Sequence, residues 1–152
     1  MPEEMKARKQ AVLKDWSETL WEAAELCELP SAAAALLGKA VKKAEDAVAL
    51  SQLPPVELCC LLGDLLAAHA DVTGRLAGRA TGEDPAAEAA ALHSRAADAF
   101  GRALRVRSTE LRARIGAADA YLAVARSELS QEGGRPSSPQ TTSLSKAARA
   151  PP

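Results

Sequence analysis

The chain has no asparagine, one isoleucine, one phenylalanine and one tyrosine, and only two tryptophans and two histidines in 152 residues. Each scarcity removes a class of protein. With aromatics at 3%, base stacking has almost nothing to work with, so nucleic-acid binding is not expected. The shortage of β-branched residues argues against a sheet. A net charge of −1 supplies no field toward polyanions or lipid. The three cysteines, Cys27, Cys59 and Cys60, are odd in number and sit inside helical patterns. Adjacent Cys59 and Cys60 point to different helix faces, and no second pair exists to complete a zinc site. They read as buried thiols of a reducing compartment. No apolar run approaches the roughly 20 residues needed to span a bilayer. Met1-Pro2-Glu3-Glu4-Met5-Lys6 lacks the apolar region of a leader. The expectation is an intracellular, cytoplasmic protein without membrane contact, the nucleus remaining open.

What is present is helix former. Alanine supplies 35 residues and leucine 20, and both rank at the top of helix propensity. The predicted architecture is all-α: about five helices paired as antiparallel hairpins, stacked as a short solenoid or bundle. The first helix should run from about Glu3 to Glu28, its core stripe holding Val12, Leu13, Trp16, Leu20, Ala23, Ala24 and Cys27. Trp21 lies off the centre of that stripe. Pro30, with Ser31 as N-cap, starts a second helix, about Ala32 to Leu50. Pro55 opens a third, reaching about Ala80 and burying Leu58, Cys59, Leu62, Leu65, Leu66, His69, Val72 and Leu76. The turn Thr81-Gly82-Glu83-Asp84-Pro85 leads into a fourth, to about Val106. Ser108 or Thr109 should cap the fifth, about Glu110 to Leu129, with Leu111, Ile115, Ala118, Tyr121, Leu122, Ala125 and Leu129 on its faces. Residues 1–129 thus form one helical domain. From Ser130 to Pro152 the chain is rich in Ser, Pro and basic residues and lacks an apolar face, so disorder is expected there.

At the centre of the pattern lie Ala96, Phe100 and Ala103, spaced four and three on one helical face. Two small residues flanking a ring make a slot for a neighbouring helix. This Ala-x3-Phe-x2-Ala arrangement resembles the second-helix signature of tetratricopeptide repeats. Leu62-Gly63 followed by Leu66 resembles the first-helix pattern of the same family. Tyr121, twenty-one residues after Phe100, stands where the next repeat would place an aromatic. The step from Leu66 to Ala96 is longer than the family's by twenty-one residues, which implies an elongated hairpin of helices three and four. The resemblance implies protein–protein recognition, with Tyr121 packed in phase beside Phe100. The family's carboxylate clamp for chaperone tails uses Asn together with Lys and Arg, and a chain without Asn departs from it.

Chemistry is harder to find. His69 and His93 have no Cys, Asp or Glu at the three- or four-residue spacing of a helical ligand or acid–base pair, and no glycine-rich phosphate loop occurs. No catalytic residue, metal site or cofactor is assigned. The run Arg102, Arg105, Arg107, Arg112 and Arg114 reads either as a solvated rim or as a docking site for an acidic peptide or phosphate. Trp21 is either core edge or a partner anchor. Ser138-Pro139 is a candidate proline-directed phosphorylation site. The expected function is a non-enzymatic interaction scaffold, adaptor or small subunit of a larger complex, homo- or hetero-oligomeric. It would bind a partner helix or peptide, acidic in one version, in a groove lined by helices one, three and five. Candidate contacts are Trp21, Leu66, Tyr121 and the arginines. The alternatives are a bundle holding a small apolar ligand or lipid between helices three and four, or weak anion and nucleic-acid binding through the arginines.

Overall fold

A computed structural model describes residues 1–76 and 85–133, and among them it contains five helices and no strand. These are α1 (Glu3–Glu25), α2 (Pro30–Ala49), α3 (Val56–Leu76), α4 (Pro85–Val106) and α5 (Leu111–Gly133). The helix-four limits match expectation, and α5 continues through four residues assigned above to the disordered tail. The 81–84 turn, the remainder of the tail and Ser138 lie outside the described residues. No helix among the described residues is long and apolar enough to cross a membrane.

Local chemistry explains the boundaries. Glu3 and Glu4 stand at the positive end of α1. Pro30 occupies the first turn of α2 after Leu29 as N-cap, so Ser31 lies inside the helix and does not cap it. The fixed φ of proline suits that first turn. The Pro55 carbonyl accepts hydrogen bonds from the amides of Leu58 and Cys59, each at 3.1 Å. Gln10 Nε2 donates to the Ala47 carbonyl at 3.0 Å and to Ser51 Oγ at 3.3 Å, tying the start of α1 to the end of α2. That bond gives a partner to one of the carbonyls a helix end leaves open.

Consecutive helices pack antiparallel, and α3 and α5 also touch. The core is largely methyl groups. Ala40, Ala44, Ala47, Ala96, Ala103 and Ala113 have no appreciable exposure, and α3 is covered on every side through Leu58, Cys59, Cys60, Leu61, Leu62, Leu65 and Leu66. Small residues bring helix axes together, and dense packing follows. Phe100 is the exception that fills the centre. A Cβ built on Gly63 of α3 would lie 2.6 Å from its ring, and one built on Gly116 of α5 would meet the same ring edge. One aromatic from α4 therefore sits between two glycine backbones, and three helices meet on it.

Three sequence expectations change. Tyr121 does not lie beside Phe100: it is 63% exposed, and Gly116 takes that place. Five residues of helix separate the two, a rotation of about 140°. Trp16 is not core. The middle of the α1 stripe runs through Leu13, Ser17 and Ala24, with a serine at a position that apolar counting passes over. Ser17 Oγ donates to the Lys14 carbonyl at 2.7 Å, so its burial leaves no polar group unpaired. Trp16, on the edge of the stripe, is left half-exposed, and Val12 faces solvent.

Candidate docking faces

The residues nominated from the sequence do not converge. Leu66 is 2% exposed and packs in the core, so it offers nothing to a partner. Trp21 is half-buried against the core and borders a cleft with Ala24, Leu37, Val72 and Arg75, built by α1, α2 and α3. Helix five has no part in that cleft. The predicted groove over helices one, three and five does not form as one surface there.

The arginines divide. Arg112 bridges α5 to α3 through Asp64, its Nε donating to Oδ2 at 3.0 Å. Arg107 Nη1 pairs with Glu110 at 3.2 Å and lies 3.8 Å from Glu57. Arg114 Nε donates to the Ser108 carbonyl at 2.8 Å. These three brace the junction of α3, α4 and α5. Arg102 and Arg105 are exposed and make no hydrogen bond or ion pair among the described residues. Exposed pairs of this kind are worth about 0–1 kcal/mol each, so the bracing sets geometry more than stability.

Helix α5 is built inside out. Ala113, Ala117 and Ala120 face the core with Gly116 against Phe100, while Leu111, Ile115, Leu122 and Leu129 are between 49 and 67% exposed. With Ala118 and Ala125, also exposed, these form a row at positions 111, 115, 118, 122, 125 and 129. The steps are 4-3-4-3-4, the heptad spacing of a helix seam. At 100° per residue the row lies opposite the buried alanines. The spacing was readable from sequence; its outward direction was not, because both faces of α5 are apolar.

A second exposed feature escaped sequence reading. Lys43 Nζ sits 4.0 Å from the centroid of the Trp16 ring, and Lys39, Lys42 and Leu20 line the same groove of about 650 Å³. The ammonium over the ring is a cation–π contact, which covers part of an otherwise wet tryptophan.

His93 Nε2 lies 3.7 Å from Asp71 Oδ1, across α3 and α4, a pairing invisible to spacing within one helix. Ser127 and Ser130 border the same cleft. The His93 Nδ1 atom is buried without a hydrogen-bond partner, so no hydroxyl is held there for activation. His69 Nδ1 is likewise buried and unpartnered. Burial lowers the His69 pKa from 6.5; Arg95 acts in the same direction and Glu88 against it. Burial raises the Cys59 and Cys60 thiols, which leaves them protonated and unreactive. Among the described residues no three His, Cys, Asp or Glu side chains group to hold a metal ion. Comparison with protein-family models, curated proteins and solved structures gives no match.

Proposed function

We propose that the chain is a non-enzymatic interaction scaffold that docks a partner helix along the outer face of α5. The observation that supports this most is the outward row of Leu111, Ile115, Leu122 and Leu129, set opposite a core face of alanines. Large apolar side chains exposed together along one helix face mark a candidate interaction site. A row with heptad spacing is the complement of another helix. Tyr121 and Arg114, both exposed on one flank of the row, are residue types that favour interfaces. Helix α3 and helix α4 are in contact through Phe100 and Gly63, which argues against an apolar ligand lodged at that level.

A photo-crosslinking amino acid placed at Ala118 tests the reading in cells, with Ala91 on the exposed side of α4 as control. A discrete adduct from position 118 and none from 91 is expected, and Leu122→Asp should abolish it. Equal labelling from both positions, or no adduct from either, contradicts the proposal.

A further inference from the structure

We propose that the helix received by α5 is the α5 of a second copy of this chain, running antiparallel, with a twofold axis near Ala120. The inference rests on the docking reading above and names its partner. Three candidates could cover the seam: the chain's own tail, a foreign helix, or another copy.

The tail is a poor match by composition. Residues 134–152 hold one large apolar residue, Leu144, and four prolines, which cannot supply a second heptad row.

A second copy matches in detail. With two α5 helices antiparallel and centred on residue 120, Leu111 layers against Leu129 of the second copy, Ile115 against Ala125, and Ala118 against Leu122. Each alanine meets a large side chain, and leucines close both ends. A parallel pairing in register would instead stack alanine on alanine at 118 and again at 125, leaving two voids. Charge divides between the two flanks, so the layering of large against small side chains decides the orientation. Along one flank Arg114 faces Glu128 of the second copy, twice by symmetry, and the two Tyr121 rings meet at the axis. Along the other flank Arg126 approaches the Arg112–Asp64 pair, and the two Asp119 carboxylates approach each other. The contact surface is the same patch on both subunits, as a twofold interface requires.

The seam is about 27 Å long on a helix about 10 Å wide. That is less than the ~800 Å² per partner of a standard interface. The dimer should therefore be weak and separate on dilution through the micromolar range.

Sedimentation equilibrium of the full chain tests this directly. The account expects a mass approaching two chains at about 100 μM and one chain at about 1 μM. Leu122→Asp places a charge in the seam twice and should weaken association by roughly 100-fold, with the helical circular dichroism and the melting curve of dilute, monomeric protein unchanged. Orientation is read by mixing Leu111→Cys and Leu129→Cys chains, each in a Cys27→Ser background, with a short bifunctional thiol reagent. Crosslinks between the two variants are expected, and Leu111→Cys alone should give none. A chain monomeric at 100 μM, or a dimer indifferent to Leu122→Asp, overturns self-pairing. Crosslinking of Leu111→Cys with itself overturns the antiparallel register. If the chain is monomeric while Ala118 still labels a different protein in cells, the scaffold reading survives and the self-pairing falls. If the chain is monomeric at 100 μM and Ala118 labels nothing, both fall.

Discussion

Helices α3 and α5 have similar length, and each carries a row of large apolar side chains, yet the rows are used in opposite ways. The first turns of α3 bury leucines and cysteines on every side, because α2, α4 and α5 all reach it. Helix α5 lies at the end of the stack and buries fully only alanines, with Gly116 against the ring and Val124 half-buried, while Leu111, Ile115, Leu122 and Leu129 stay outside. Apolar periodicity thus identifies a face without saying which way it looks. Neighbours decide: beside a bulky ring only small residues fit, and the larger ones must go elsewhere.

The contrast can be broken from the inside. Phe100→Ala removes the one large group joining α3, α4 and α5. It should lower stability by about 3–5 kcal/mol in chemical denaturation. Gly63→Ala and Gly116→Ala attack the same contact from either side by adding a methyl where the ring already sits. Each should cost about 1–3 kcal/mol. Gly101→Ala, with nothing within 4 Å of the added carbon, should be neutral or stabilising within about 1 kcal/mol. If Gly63→Ala and Gly101→Ala behaved alike, the three-helix contact would be refuted.

A smaller effect is expected with pH. His69, between α2 and α4, binds its proton less readily when folded than when unfolded, since burial lowers its pKa from 6.5. Below 6.5 the unfolded chain therefore holds more protons than the folded one, so folding stability is lost as pH falls through and below that value. His69→Met should flatten that part of the pH–stability curve; a slope unaltered by the substitution would exclude His69 as its source. Smaller still, Lys43→Ala should cost about 0.5–1 kcal/mol through its contact with Trp16 and shift tryptophan fluorescence. At the far end, Leu122→Asp should change the stability of the isolated chain by no more than about 0.5 kcal/mol. That near-silence is what separates the outer face of α5 from the inside of α3.

Much of the architecture was legible. Pro85 and Val106 bound α4 as expected, and Leu58, Cys59, Leu62, Leu65 and Leu66 are buried on α3 as their spacing predicts, because proline punctuation and the 3.6 period are local signals. The slot of Ala96, Phe100 and Ala103 was visible too, but its occupants were not. Gly63 and Gly116 each follow an aliphatic residue and carry no side chain to count. Their meaning depends on a ring 37 and 16 residues away, a separation that follows from the positions. The site was less legible than the fold. Leu66, nominated as a contact from its spacing after Leu62 and Gly63, is buried in the core. Arg112 is spoken for by Asp64, 48 residues distant. Such pairings arise from packing between helices, and no spacing along a single helix encodes them.

The most direct test is thiol accessibility along α5. Single cysteines at 115, 118 and 122, with one at 117 for comparison, would be alkylated in a Cys27→Ser background at about 1 μM and again at about 100 μM chain. The account predicts rapid reaction at 115, 118 and 122 in dilute protein, protection of all three on concentration, and slow reaction at 117 throughout. Slow reaction at the three outer positions in dilute protein, or rates that ignore concentration, would contradict an outward seam that closes on a second copy.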